Sequence, residues 1–302
     1  MKHLYGGIEA GGTKFVCLLG AGPNEIVGET RFPTTHPGET IQQVIEFFEP
    51  FARSGDLAAV GIASFGPVDL DPKSPTYGYV TTTPKPHWSQ VDLRGPIQDA
   101  LGLPVAFDTD VNVAAFGEWY WTPGNRSLDP FVYITVGTGI GVGVLANGRP
   151  LHGLVHPEAG HFAIPHNRQA DPFPGSCPYH GDCLEGLASG PAMNRRWGQP
   201  AETLPDDHPA WDLEAEYIAL ALTNLIYAYS PQKIVLGGGV ALHPGFHDAV
   251  RQKVGRLLNG YVQSPTLIEK IDDYIVQPAL GQRSGALGAI AMAISLASSP
   301  LH

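Results

Sequence analysis

Two segments of the chain share one pattern, in which an apolar strand runs through a glycine turn into another strand. In the first, residues 4–8 and 15–19 flank Gly11-Gly12-Thr13-Lys14, and in the second, residues 131–136 run through Gly137-Thr138-Gly139 and on to residue 145. A strand after the glycines excludes the Rossmann fingerprint and the P-loop, because both need a helix there. The repetition predicts an internally duplicated chain with two β-rich halves.

Each glycine turn has the chemistry to hold phosphate. The backbone N–H groups of Gly11 and Gly12, the Thr13 hydroxyl and the Lys14 charge can surround an anion from a hairpin, although an ordinary hairpin is the alternative. Two such hairpins facing each other would grip a polyphosphate from both sides. A third glycine turn, Gly237-Gly238-Gly239, follows the predicted buried strand 233–236 and offers further backbone to a ligand.

The rest of the pattern alternates strands and helices, as is typical of an α/β fold. A helix is predicted over residues 40–53 with Thr40 as its cap, and buried strands are predicted at 58–64 and 104–107. The stretch Asp108-Thr109-Asp110-Val111-Asn112 then opens a helix that either Asp108 or Thr109 could cap. Further helices are predicted at 213–229, 246–259 and 284–296.

A cysteine and histidine cluster predicts a zinc site. Cys177 and Cys183 bracket His180 with two residues on either side, and thiolates with imidazole favour zinc. Five histidines could supply a fourth ligand, and we select His161; the others are His152, His156, His166 and His208. Four protein ligands would make the zinc structural, whereas three would leave an open catalytic position. A plain surface loop and a disulfide between the two cysteines are the alternatives.

Composition limits the partners. With 302 residues and a net charge of −11, the chain is long enough for two domains and has no electrostatic attraction for nucleic acid or an anionic membrane. No apolar run reaches the length of a membrane span, and the N-terminus lacks the apolar core of a signal peptide. We therefore expect a cytoplasmic protein.

Several separated motifs together resemble one family, the ROK sugar kinases of the actin-like ATPase fold, and within it most closely the bacterial fructokinases. They span nearly the whole chain, from residue 4 to residue 294. The motifs are residues 7–17, 64–69, 82–86, 109–112 and 137–139, Glu158-x-x-His161, residues 177–185 and 237–239.

The resemblance implies a ribonuclease H-like α/β fold of duplicated domains with an interdomain cleft. We expect residues 1–115 with a C-terminal helix at about 285–302 to form the first domain, and residues 116–284, with the zinc site, to form the second. The implied reaction transfers phosphate from ATP to a sugar hydroxyl, with Mg²⁺ bridging the phosphates near Glu9. The implied assembly is a homodimer.

The resemblance also assigns roles to residues. Asp110 is the implied base that takes the hydroxyl proton. The residues implied to face the sugar are Asn112, Glu158, His161 and Glu185. Those implied to hold the nucleotide are Gly11, Gly12, Thr13, Lys14, Thr138, Gly139, Gly190, Gly237, Gly238 and Gly239.

The resemblance to the fructokinase branch implies fructose as the sugar, phosphorylated on its terminal hydroxymethyl group, with mannose as the expected second substrate. A bulky, proline-stiffened wall adds partial physical support, with Phe65, Tyr79, Thr82 and Lys85 on it. A broader hexokinase acting on glucose or mannose is the alternative. A sugar-sensing repressor would carry a helix-turn-helix before the first hairpin, which here begins at residue 4, and a zinc hydrolase would need an open metal position.

The chain departs from the family pattern in three places. Glu9 stands where many relatives have Asp, and Thr109 stands where many have Asn. The zinc-binding loop is one residue shorter than the usual Cys-x-Cys-Gly-x-x-Gly-Cys, so that His180 replaces a cysteine as ligand.

Overall fold

The computed structural model describes residues 3–298 and has the mixed α/β architecture that the sequence predicts. The strands are β1 (Leu4–Ala10), β2 (Lys14–Gly20), β3 (Ile26–Pro33), β4 (Leu57–Ser64), β5 (Tyr79–Val80), β6 (Val91–Asp92), β7 (Val105–Thr109), β8 (Phe131–Val136), β9 (Ile140–Ala146), β10 (Arg149–Pro150), β11 (Lys233–Gly237) and β12 (Ile275–Val276). The helices are α1 (Pro37–Ser54), α2 (Arg94–Leu101), α3 (Asp110–Trp121), α4 (Leu184–Ala188), α5 (Gly190–Trp197), α6 (Ala210–Tyr229), α7 (Phe246–Leu258), α8 (Pro265–Glu269), α9 (Ile271–Tyr274) and α10 (Ser284–Ser298).

The chain forms two compact units. Within the described residues, unit 1 contains 3–127, 149–157 and 279–298, and unit 2 contains 128–148 and 158–278. The predicted boundary after residue 115 lies inside α3, which belongs wholly to unit 1. The domain limits given by the sequence therefore stay a prediction.

Both units are built on the same strand pattern. In unit 1 the sheet order is β3-β2-β1-β4-β7, with β1 antiparallel to β2 and parallel to β4. In unit 2 the order β9-β8-β11-β12 repeats this pattern, because β8 is antiparallel to β9 and parallel to β11. Each unit thus begins with an antiparallel glycine hairpin that is extended by parallel strands, as the repeated sequence pattern suggests.

Helix α10 completes unit 1 from the far end of the chain. It packs against β1, β4 and α3, and its apolar residues join small buried clusters with Val16, Leu18, Ala63 and Val113. The approach is close, because a Cβ on Gly61 would overlap the Ala289 carbonyl and one on Gly288 would overlap the Val113 carbonyl. Glycine permits this backbone contact, since it has no side chain to intervene.

Some local predictions were wrong. Helix α1 begins at Pro37 after His36, so Thr40 lies inside the helix and does not cap it; its Oγ1 accepts a hydrogen bond from the Thr35 N–H. Pro37 allows the helix to begin three residues before the predicted start, because the fixed φ of proline suits the first helical position. The short helices α4 and α5 were not predicted. Within residues 3–298, no helix has the length and apolar character needed to cross a membrane.

Candidate functional site

The first glycine turn of unit 1 is a tight hairpin between β1 and β2. The Gly11 N–H donates to the Lys14 carbonyl over 3.0 Å, and the Gly11 carbonyl accepts from the Thr34 hydroxyl over 2.6 Å. Nothing lies within 4 Å of where a Gly12 Cβ would stand, and Thr13 and Lys14 are exposed. The tip of the hairpin therefore has an open side on which an anion can approach the backbone.

Glu9 is the penultimate residue of β1, just before the glycine turn. Burial raises the pKa of its carboxyl, and the Lys14 charge opposes the shift. Its side chain packs against Gly285, where a Cβ would lie 3.0 Å from the Glu9 Cδ. A carboxylate beside a phosphate-holding turn has the hard oxygen ligands that Mg²⁺ prefers.

Asp110 is the first residue of α3, directly after β7. Thr109 caps the helix, since its hydroxyl accepts from the Asn112 N–H over 3.2 Å, and this decides between the two predicted caps. The Asp110 Oδ1 accepts from the Val111 N–H over 2.8 Å, and the residue is partly exposed. Asn112, predicted to face a sugar, is 1% exposed and donates from Nδ2 to Asp108.

The segment predicted as the sugar-pocket wall is anchored by an aromatic residue that the sequence analysis overlooked. Trp88 is fully buried, donates from Nε1 to the Thr35 carbonyl over 2.9 Å and contacts the Phe65 ring edge-on at 5.4 Å. Around it the backbone of His87 and Gln90 has positive φ, which non-glycine residues rarely adopt. Trp88 thereby fixes a segment whose residues Thr82 and Lys85 stay at least partly exposed.

In unit 2, four side chains predicted to bind zinc lie together. One ligand atom from each of His161, Cys177, His180 and Cys183 falls within 4.8 Å of all the others. The Cys177 Sγ lies 3.9 Å from the His161 Nδ1 and 3.6 Å from the His180 Nδ1, and the Cys183 Sγ lies 3.5 Å from the His161 Nδ1. Zn–S and Zn–N bonds of about 2.3 and 2.05 Å at tetrahedral angles place sulfur and nitrogen roughly 3.6 Å apart. The donor set and its spacing thus fit a four-coordinate metal.

The loop is folded so that the cysteines converge. Cys177 and Gly181 exchange two backbone hydrogen bonds, and the Leu184 N–H donates to the Phe162 carbonyl, which brings Cys183 beside the His161 segment. Both cysteines are free thiols, so the alternative of a disulfide between them is not what the structure has. Burial raises the pKa of Cys183 to about 11, and a bound dication would favour its thiolate.

The four histidines that we did not select make other contacts. His166 lies between Asp171 and Asp182, and His208 meets the Trp197 ring edge-on. His152 and His156 belong to unit 1, where they contact Asp108 and the Val68 N–H.

Glu158 and Glu185 both belong to unit 2. Burial, and then the neighbouring charge of Glu185, raise the pKa of Glu158, although its exposed surface lets water screen part of the effect. The Glu185 Oε2 accepts from the Ile140 N–H over 2.9 Å and would lie 2.7 Å from a Cβ on Gly139. Glu185 therefore lies against the second glycine turn, which brings a carboxylate and a candidate phosphate-binding backbone together.

A cavity of about 890 Å³ opens beside this turn within unit 2. Its lining includes Thr138, Gly190 and Gly239, three of the residues predicted to hold nucleotide. It also includes Trp211 and His243, whose rings stack at 3.6 Å and which the sequence analysis did not identify. Gly237 and Gly238 pack instead against β8, where a Cβ on Gly238 would overlap the Val136 backbone.

The chain matches known proteins over nearly its whole length. The ROK family profile matches residues 5–295. A fructokinase from Streptococcus mutans is 45% identical over 99% of this chain and 100% of its own, and a fructokinase from Zymomonas mobilis is 44% identical over 97% of each. Among solved structures, the ROK hexokinase from Thermus thermophilus matches with a TM-score of 0.77 at 26% identity, covering 98% of this chain and 99% of the other. This likeness confirms the predicted fold class.

Proposed function

The chain belongs to the ROK family, and we propose that it is a fructokinase, which transfers the γ-phosphate of ATP to the terminal hydroxymethyl oxygen of fructose. The observation that carries the proposal is the similarity to proteins named fructokinases, which are 44–45% identical to this chain over 97–99% of its length. The matched length is 97–99% of this chain, so the similarity is not confined to one motif or one unit. The products are fructose 6-phosphate and ADP.

Asp110 is the proposed general base. It accepts the proton of the 6-hydroxyl as that oxygen bonds to the γ-phosphorus, while the bond from phosphorus to the bridging oxygen breaks and ADP leaves. Its place at the first residue of α3, partly exposed and with one oxygen on the Val111 N–H, supports this role. A positioned base contributes about 10²- to 10⁴-fold, while most of the catalysis comes from holding the phosphates and their charge.

The cavity of unit 2 is the proposed nucleotide site. Its volume of about 890 Å³ has room for a nucleoside, and we propose that the backbone of Thr138 and Gly239 faces the phosphates. Gly190 lies beside them and donates its own N–H to the Gly137 carbonyl over 2.8 Å, which holds the turn in place. Bound Mg²⁺ would neutralise charge on the transferring phosphate, and Glu9 is the carboxylate proposed to lie near it. Glu158 and Glu185 are proposed to accept hydrogen bonds from sugar hydroxyls, and His161 to contribute a ring nitrogen.

Zinc is the proposed occupant of the Cys/His cluster. His161, Cys177, His180 and Cys183 would hold it through two Nδ1 and two Sγ atoms, a donor set typical of closed structural zinc sites. Since Leu184 and Glu185 follow directly after Cys183, fixing the loop also fixes the start of α4 and the Glu185 carboxylate. The homodimer and the cytoplasmic location stay predictions.

A hexose panel tests the proposed function. Purified protein with Mg²⁺ and ATP is given fructose, mannose or glucose, and ADP release is followed together with the position of the new phosphate by ³¹P NMR. We expect kcat/KM for fructose to exceed that for mannose and glucose. Equal or better use of glucose would replace the fructokinase assignment with a broader hexokinase, and no transfer to any hexose would favour a sugar-sensing protein.

A further inference from the structure

Two histidines of unit 1 lie outside the metal cluster and are not used by the reaction described above. His152 and His156 are four residues apart on the segment 149–157. The His152 Nε2 lies 2.8 Å from the Asp108 Oδ2, and the His156 Nε2 accepts from the Val68 N–H over 3.3 Å. A segment distant in sequence is thus tied both to the end of β7 and to the turn that follows β4.

The His152 contact matters because of what else Asp108 holds. Asp108 is 1% exposed, and its Oδ1 accepts from the Thr109 N–H over 2.7 Å and from the Asn112 Nδ2 over 2.8 Å. Thr109 and Asn112 stand on either side of Asp110 in the sequence. One buried carboxyl therefore fixes both flanks of the turn that presents Asp110.

Asn112 shows how closely this arrangement is set. Because its Nδ2 faces Asp108, its Oδ1 points elsewhere, and this buried oxygen has no hydrogen-bond partner within the described protein. A buried unpaired acceptor is unfavourable, so the orientation of the amide depends on its hydrogen bond to Asp108. A rotation of the Asp108 carboxyl would release the amide and the first turn of α3 together.

We propose that His152 is a positioning residue for phosphoryl transfer, acting through Asp108 to hold the turn that carries Asp110. The inference rests on the proposed role of Asp110 as base. His152 donates to the one oxygen of Asp108 that neither Thr109 nor Asn112 occupies. Without the His152 N–H, the buried Asp108 Oδ2 has no hydrogen-bond donor, and the carboxyl is free to rotate toward another one.

The charges around His152 determine how the contact responds to pH. The Asp108 hydrogen bond raises the pKa of His152, while burial opposes the shift. His156 also faces this pair, but burial lowers its pKa, which suits a neutral ring that accepts from Val68. Tyr77 also interacts with the Asp108 charge; burial raises the pKa of Tyr77, and the Arg94 charge opposes the shift. The stabilisation that protonated His152 provides is thus fully present below the ordinary histidine pKa of about 6.5. It is lost as pH rises through the raised pKa that His152 has in the folded protein.

Two His152 variants and a neighbouring control test the proposal. His152→Ala removes the donor, His152→Gln keeps an N–H at the place of Nε2, and Leu154→Ala changes a fully exposed residue of the same segment. We expect His152→Ala to lower kcat about 10- to 100-fold with both KM values changed less than about 3-fold, because misplacing a catalytic group costs this much. His152→Gln should keep kcat within about 3-fold of the unmodified protein, and Leu154→Ala should leave it unchanged.

A double-mutant cycle shows whether the effect passes through Asp108. If it does, His152→Ala adds little to the loss already caused by Asp108→Asn, because both act on one contact. The Tm difference between the unmodified protein and His152→Gln should also shrink from pH 6 to pH 9, because His152 loses its charge over this range and Gln carries none.

Several outcomes would overturn the proposal. Unchanged kcat in a folded His152→Ala protein would reduce the residue to a structural contact. A raised KM for fructose at constant kcat would make it a sugar-binding residue, and fully additive losses in the cycle would separate it from Asp108. If His152→Ala does not fold, a His152→Gln protein with greatly reduced kcat would refute the proposal. No transfer to any hexose by the unmodified protein would refute the proposed function itself, and the role of His152 in transfer with it.

Discussion

Glu118→Ala is expected to destabilise the protein strongly, because this one carboxylate ties α3 to the start of α10. Glu118 is 1% exposed, and its oxygens accept from the Leu280 N–H over 2.9 Å, the Ala279 N–H over 3.0 Å and the Ser284 hydroxyl over 2.7 Å. Each orphaned buried donor costs about 1–3 kcal/mol, but Ala279 is exposed enough for water to replace its partner. The expected net loss is about 2–4 kcal/mol, or roughly 3–6 °C in Tm for a chain of 302 residues.

Thermal unfolding followed by circular dichroism measures this loss. Glu118→Gln keeps the shape but places an NH2 group against N–H and O–H donors, where only one amide oxygen can accept, so we expect an intermediate loss of about 1–2 kcal/mol. Glu46→Ala, an exposed glutamate on α1, is the control and should shift Tm by less than about 2 °C. A Glu118→Ala protein as stable as this control would refute the reasoning.

Three further predictions concern the site. Asp110→Asn should lower kcat at least ~100-fold with little change in the fructose KM, because the amide cannot accept the proton; a variant with most of its turnover would remove Asp110 as base. Elemental analysis of protein purified without chelator should find one zinc per chain, lost in Cys177→Ser; protein without zinc would contradict the assignment. Glu158→Gln should raise Tm relative to the unmodified protein more at pH 8 than at pH 4. The pKa of Glu158 is raised in the folded protein, so ionising this carboxyl destabilises the fold as pH increases, and Gln cannot ionise. A Tm difference that does not change with pH would show that the pKa of Glu158 is not raised by folding.

The features that the sequence predicted well are those written in short-range patterns. The two glycine hairpins are recognisable because apolar runs and turn residues are adjacent, and the structure pairs β1 with β2 and β8 with β9. The metal cluster was predictable for a related reason, since three of its four residues lie within one seven-residue loop. Choosing His161 as the fourth ligand needed one further observation, that Glu158 lies three residues before it in the sequence.

The features that the sequence did not reveal depend on long-range contacts. His152 and Asp108 are 44 residues apart, and no periodicity links a lone histidine to a distant carboxyl. The stack of Trp211 on His243 joins the first turn of α6 to the loop before α7, and either ring alone looks like ordinary core. Helices α4 and α5 are too short for a helical period to emerge, and they are held by the loop and the cap around them.

The position of α10 at the end of the chain sets an order for folding during synthesis. The sheet of unit 1 is complete in sequence by residue 109, yet the helix that covers Ala63 and Val113 begins only at Ser284. About 170 residues separate Ser127 from Ser298, which is on the order of 10–30 s of translation at 5–20 residues per second. During that interval the apolar surface that α10 covers in the folded protein is exposed on the nascent chain, which is the kind of surface that aggregates or that chaperones bind. We expect a chain truncated before Ser284 to leave this surface exposed.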